Sequence, residues 1–171
     1  MRKVLSLACA ASCAFGAVAE GVKVHSVTTN GVEVRWFEER VPMKDGTRLY
    51  TYGSCPAEGV KCPIVIIRNP YVSEKPFDLV AFAREQVGVL RRGYACVMQH
   101  CRGCGLSDGD WIPYEHERAD GLALLDWVRR LPWYNGEIFL EGSSYLASVH
   151  WSYLGTNPPD VKGACLSVQE T

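Results

Sequence analysis

The chain is poor in several features that would have decided its class at once. No basic stretch is longer than a pair, and 18 Lys and Arg stand against 19 Asp and Glu. A nucleic-acid partner therefore has no electrostatic footprint to bind. Beyond the first residues, apolar runs stay far below the roughly 18 residues that mark a membrane-spanning helix. There is no internal repeat, which excludes a solenoid, and no Asn-x-Ser/Thr acceptor site. Histidine is scarce, at four residues, so candidates for a general base or a metal ligand are few. What remains is ordinary globular material: 171 residues, 47% apolar and 22% charged. That length suffices for one domain with its own core.

The first residues form an address. Arg2 and Lys3 precede an uncharged run from Val4 to Val18, and Ala17-Val18-Ala19 has the small-x-small form of a cleavage site. Residues 1–19 thus read as a secretory signal peptide, with a mature chain starting at Glu20 in a secreted or periplasmic location. Lipid modification at Cys13 is the alternative. Eight cysteines are present, and six lie outside this segment. An oxidising compartment permits disulfides. Cys55 and Cys62 flank a short Gly-containing loop and are the expected pair. Cys101-Arg102-Gly103-Cys104 leaves three readings open: a small disulfide loop, free thiols, or a redox or metal pair. Cys96 and Cys165, in apolar strand-like runs, suit the core.

Periodicity gives a coarse plan. Val32, Val34 and Trp36 alternate with charged residues, and a second strand is expected at 40–43. Asp45-Gly46 is a turn signal before another alternating run at 48–52, so a hairpin fits. Short apolar runs at 63–67, 94–98, 138–140 and 161–168 read as strands. Helical patterns fall at 76–90, 116–131 and 144–154, the second with Ala119, Leu122, Ala123, Trp127 and Val128 on one face. Residues 100–113 form a glycine-rich loop. This alternation predicts a three-layer α/β sandwich with a mostly parallel sheet, entered through an antiparallel hairpin.

Chemistry concentrates in Ile138-Phe139-Leu140-Glu141-Gly142-Ser143-Ser144-Tyr145-Leu146-Ala147. An apolar strand runs into Gly-x-Ser and then a helix. Such a turn holds the Ser144 hydroxyl above the sheet at a helix N-terminus, where the Tyr145 N–H can face a developing oxyanion. The fifth position is Leu146 rather than Gly. Taken alone, the stretch serves equally as a helix cap, in which Ser143 or Ser144 satisfies free N–H groups.

Five ordered segments together resemble the cocaine esterase and X-Pro dipeptidyl-peptidase group of serine hydrolases. They are Val41 to Leu49, Arg68-Asn69-Pro70-Tyr71, Gly93 to Gln99 followed by Arg102-Gly103 and Ser107-Asp108-Gly109, Asp126-Trp127 with Pro132 to Gly136, and Gly142 to Leu146. The resemblance runs from about Val41 to Val168. It implies an α/β-hydrolase fold, with residues 20–171 as the N-terminal portion of a catalytic domain and a sheet incomplete at its C-terminal side. It also implies Ser144 as nucleophile, the Tyr71 phenol and the Tyr145 backbone N–H as oxyanion donors, a small-molecule ester or peptide substrate, and no cofactor. Two positions depart from the pattern: His100 stands where the family usually has Asp, and Ala147 where it usually has Gly. His100 is therefore expected to change how the Arg102 loop is pinned.

The rest of a triad is not legible. This fold places the acid and the His after the Ser in chain order, and only 27 residues follow Ser144. They include His150, Asp160 and Glu170. His150 lies about 9 Å along the same helix and about 240° around it, so it is expected on the helix surface and not as the base. The sequence predicts either a serine hydrolase whose base lies in a longer chain, or a non-catalytic secreted domain or inactive truncated fragment.

Overall fold

The computed structural model describes residues 22–29, 32–72, 78, 81–82 and 85–167. The signal-peptide segment and Glu170 lie outside the described residues, as does much of the helical pattern expected at 76–90.

Seven strands form one sheet: β1 Val24–Thr29, β2 Val32–Pro42, β3 Arg48–Cys55, β4 Cys62–Asn69, β5 Ala95–His100, β6 Tyr134–Ser143 and β7 Val161–Ser167. Their order is β1-β2-β3-β5-β4-β6-β7. The pairs β1–β2, β2–β3 and β3–β5 are antiparallel, and β5–β4, β4–β6 and β6–β7 are parallel. Three helices are described: α1 Val87–Arg91, α2 Glu117–Val128 and α3 Tyr145–Leu154. The α/β sandwich with an antiparallel entry is therefore the fold, as the strand–helix alternation predicted.

The hairpin tip falls at Asp45-Gly46. Gly46 takes φ +87°, a region that costs a Cβ-free residue little, and Met43 N–H donates to the Thr47 carbonyl at 2.7 Å. Two details differ from the periodicity. The runs at 32–36 and 40–43 are one eleven-residue strand, and β1 precedes it. A long strand paired on both sides tolerates charged residues that break the apolar count, because its ladder bonds come from the main chain. Likewise β6 extends well beyond the apolar Ile138–Leu140 on both sides, because ladder hydrogen bonds do not need apolar side chains.

The larger core cluster gathers Phe37, Leu49, Ile64, Ile66, Val97, Leu124, Leu125, Trp127, Trp133, Ile138 and Leu140 under α2 and α3. Phe37 packs tilted against Trp127 and Trp133, with ring centroids 6.0 and 5.4 Å away. The buried face of α2 is rotated from the one expected. Ala119 is exposed, while Glu117 and Asp120 are buried, because both carboxylates face buried arginines. A polar pair can define a helix face that a hydrophobic pattern misses.

All six described cysteines carry free thiols. Cys55 and Cys62, the expected pair, are buried free thiols at the end of β3 and the start of β4. Cys101 and Cys104 sit buried in a tight turn, with the Cys104 N–H donating to the Cys101 carbonyl at 3.1 Å. Burial pushes the Cys104 thiol up to about 11 and raises Cys101 as well. That is the opposite of the low thiolate pKa a redox pair needs. Cys165 is exposed rather than buried; its strand β7 stands at one end of the sheet among the described residues.

Candidate active site

The site lies at the C-terminal ends of β4 and β6, where both strands run parallel and deliver their following residues to one edge of the sheet. Ser144 stands between β6 and α3 with φ 56° and ψ −129°. Such a backbone costs about 1–3 kcal/mol for a residue with a Cβ. It persists because the turn is overdetermined. Ser144 N–H donates to the Ser167 carbonyl of β7 at 2.9 Å, while its own carbonyl accepts from Ala147 and Ser148 at 2.9 and 3.2 Å. The strand passes so close to the helix that a Cβ on Gly142 would sit 2.4 Å from the Leu146 carbonyl oxygen and 2.9 Å from the Ala147 nitrogen. The Ser144 side chain makes no capping bond. Of the two local readings of this stretch, the cap is thus not the one adopted. Tyr145 begins α3, and the first N–H groups of a helix have no intrahelical acceptor.

Tyr71 comes from the other strand end. Its N–H is held by the Asn69 Oδ1 at 2.8 Å, and the Pro70 ring stiffens the approach. Its phenolic oxygen is 3.5 Å from Ser144 Oγ, within reach and not tightly bonded. Tyr71, Tyr114, Ser144, Tyr145 and Ser148 line a cavity of about 130 Å³. The three residues singled out in the sequence, Ser144, Tyr71 and Tyr145, are thereby brought together. Tyr114 and Ser148 were not anticipated. Tyr114 carries no local signal, since its place depends on φ +66° and on a contact across the fold.

No histidine lines this cavity. His150 is fully buried and not on the helix surface as expected. Its Nε2 lies 3.2 Å from the Glu141 carbonyl and its Nδ1 2.5 Å from the Tyr153 hydroxyl. A carbonyl only accepts, so Nε2 carries the proton and Nδ1 accepts from Tyr153. Burial, and then the nearby Arg68 charge, lower its pKa to about 3. His150 thus fastens α3 to β6 just before the elbow. His100 is also buried, against Tyr50 and Tyr52, and its Nδ1 accepts the Leu106 N–H at 3.2 Å. Burial lowers its pKa to about 4. His100 thus holds the Arg102 loop at Leu106 and not at Arg102 itself. Arg102 is gripped by Asp120 through Nε and one terminal nitrogen, at 3.0 and 2.7 Å, and by Asp45 at 2.7 Å. The guanidinium holds the Asp45 carboxyl well below the usual carboxylate range.

His116 precedes α2 beside Glu115, 3.7 Å away, and His25 stacks on Trp36. Asp160 is engaged elsewhere. It accepts from Arg129 at 2.7 and 2.8 Å and from Tyr134 at 2.7 Å. Among the described residues no group of three or more His, Cys, Asp or Glu is arranged to hold a metal, and no helix is long and apolar enough to cross a membrane.

With this geometry in hand, similarities to known proteins become informative. Residues 45–169 match the X-Pro dipeptidyl-peptidase (S15 family). The chain is 34% identical over 114 residues to cocaine esterase from Rhodococcus sp. (strain MB1 Bresler), covering 65% of this chain and 19% of that protein. Among solved structures it is similar to an α-amino acid ester hydrolase, with 27% identity, TM-score 0.63 and coverage of 75% of this chain and 24% of that one. A CocE/NonD family hydrolase from Staphylococcus aureus shares the fold, at TM-score 0.67 and 23% identity, covering 87% of this chain and 31% of that one. The chain spans about a fifth of the length of the curated relatives it matches. It belongs to the X-Pro dipeptidyl-peptidase (S15) family.

Proposed function

We propose that this S15-family chain supplies the nucleophile and oxyanion half of a serine hydrolase site acting on an ester or amide, of esterase or X-Pro peptidase type. Ser144 Oγ attacks the carbonyl carbon. The Tyr71 phenol and the Tyr145 N–H donate to the oxygen that becomes negative, the Ser144 proton passes through the base to the alcohol or amine as its bond to the acyl carbon breaks, and water then hydrolyses the acyl-serine to the acid and free Ser144. The observation that carries the reading is the strained Ser144 backbone at a strand-to-helix turn, with the Tyr71 hydroxyl 3.5 Å from its Oγ. The base and its acid come, in this reading, from polypeptide outside these residues. A serine hydroxyl without a base is a poor nucleophile, and triad members act as a unit. The 171-residue chain alone is therefore expected to turn over an activated ester near background.

Export through residues 1–19 belongs to the same proposal, and N-terminal sequencing of secreted protein should begin at Glu20. The catalytic reading is tested with a fluorophosphonate probe and mass spectrometry. Slow, stoichiometric labelling of Ser144 that disappears in Ser144→Ala supports it, and labelling that survives the substitution overturns it. The second reading, a non-catalytic α/β domain, is favoured by one observation: no histidine lines the Ser144 cavity. It predicts no labelling of Ser144 at all.

A further inference from the structure

One carboxylate joins the two strand ends that carry the candidate oxyanion donors, through Arg68 of β4 and the Tyr145 hydroxyl. Glu117, the first residue of α2, is buried. Its Oε2 accepts from an Arg68 terminal nitrogen at 3.0 Å. Its Oε1 accepts from the Tyr145 hydroxyl at 3.4 Å. Arg68 is fully buried and stands on β4 three residues before Tyr71. It also donates to the Glu117 carbonyl at 3.0 Å and to Gln99 Oε1 at 3.1 Å, and Gln99 in turn donates to Thr51 at 3.1 Å. The Tyr145 hydroxyl accepts the Tyr114 N–H at 2.8 Å, and Tyr114, at φ +66°, is a wall of the Ser144 cavity. The rings of Tyr114 and Trp111 pack on Tyr145 with centroids 4.9 and 5.1 Å away.

A buried ion pair of this kind is weak evidence for stability, because desolvation offsets most of its attraction. What it does supply is fixed geometry. The two donors proposed for the oxyanion come from different strand ends, and the Arg68–Glu117–Tyr145 chain is a hydrogen-bonded tie, with links of 3.0 and 3.4 Å, between those ends.

We infer that Glu117 is a positioning residue: with Arg68 on one oxygen and Tyr145 on the other, it sets the Tyr71 strand end and the Tyr145 main chain relative to Ser144, and through Tyr145 it holds Tyr114 in its left-handed conformation. This inference rests on the reading of Ser144 as nucleophile for its functional consequence, and not for its geometry. Displacing a donor by about 1 Å is enough to slow a reaction about 10²-fold.

Glu117→Ala leaves the buried Arg68 with Asp120, 4.0 Å away, as its remaining carboxylate and is expected to fold poorly, so Tyr145→Phe carries the test in the full chain, with Glu117→Gln as the conservative variant. Tyr145→Phe removes one hydroxyl and keeps Ser144, the main-chain N–H and Arg68–Glu117. Three measurements are made on each protein: the urea midpoint, a crystal structure, and the rate constant for phosphonylation of Ser144 by a p-nitrophenyl alkylphosphonate. For Tyr145→Phe the expected result is an unfolding midpoint near the wild-type value, Tyr114 no longer at positive φ, and phosphonylation slowed about 10- to 100-fold. Glu117→Gln, which can still accept from Arg68 and meet the Tyr145 hydroxyl, should recover the rate to within a few-fold. A Tyr145→Phe structure superimposable on the wild type, with Tyr114 at positive φ and the Tyr71–Ser144 distance unchanged, overturns the inference. So does an unchanged rate in a protein whose Ser144 is labelled. If wild-type Ser144 is never labelled, the nucleophile reading falls, and the crystal structures alone decide the positioning role.

Discussion

The two strand ends that meet at the candidate site are built in opposite ways. After β6 the chain turns within one residue, with Gly142 against the α3 backbone, Ser144 locked at positive φ, and His150 stapling α3 to the Glu141 carbonyl from below. After β4 the chain leaves as a loop. Tyr71 is 66% exposed, and the local bond on its main chain is the Asn69 side chain at 2.8 Å. Ser144, the proposed nucleophile, is fixed by steric exclusion, whereas Tyr71 is fixed by a proline ring, one side-chain bond and the distant Arg68–Glu117 tie. Steric fixation tolerates almost no substitution. Fixation by hydrogen bonds tolerates many, each at a small cost.

That contrast can be broken at either end. The largest effect is expected at Tyr71. Tyr71→Phe removes one proposed oxyanion donor from an exposed loop, so phosphonylation of Ser144 should fall about 10²- to 10³-fold, while urea unfolding stays within about 0.5 kcal/mol of wild type. Gly142→Ala should do the reverse. A methyl 2.4 Å from a carbonyl oxygen of the helix backbone has nowhere to go, and the cost is expected at about 2–3 kcal/mol by urea denaturation. A Gly142→Ala protein as stable as wild type would mean that the elbow is softer than its contacts imply.

Acid offers a way to loosen the protein from within. His150 and His100 have pKa values lowered by burial to about 3 and about 4, from 6.5. Unfolding lets each take up a proton at the ordinary pKa. Their stabilising contribution is therefore complete above about pH 6.5 and is lost as pH falls toward the folded values. Between pH 6.5 and 5 each should cost of the order of 2 kcal/mol, read as a falling urea midpoint. His150→Gln, which keeps a donor near Glu141, should flatten that dependence by about half. The smallest effect is expected for Asn69→Ala. Loss of one exposed hydrogen bond to the Tyr71 N–H should lower stability by about 0.5–1 kcal/mol and slow phosphonylation by only a few-fold, a difference from Tyr71→Phe that separates holding the donor from being it.

The elements that the sequence revealed are those whose residues act on their immediate neighbours. Asp45-Gly46 needs only its own turn geometry. Ile64 and Ile66 need only a sheet to bury them. Gly142-Ser143-Ser144 writes its turn locally, because a missing Cβ and a strained serine are properties of single residues. Elements that depend on a distant partner were read poorly. The face of α2 was misjudged because Glu117 and Asp120 look like solvent residues until Arg68 and Arg102 arrive from β4 and the loop after β5. His150 was placed on the surface because helical rotation gives its angle but not which neighbours fill it.

The sequence by itself determined the layered fold and the hairpin, since each is encoded in short runs whose backbone preferences and apolar periods agree; the turn at Ser144 was one of two local readings, and its pairing with Tyr71 was implied by the family resemblance. The tertiary structure alone decided the tie from Arg68 through Glu117 to Tyr145, the left-handed Tyr114 in the cavity wall, and the burial of two neutral histidines beneath the site. The tie and the Tyr114 contact join groups 49, 28 and 31 positions apart, and a buried charge carries no local signature until its counterpart is in place.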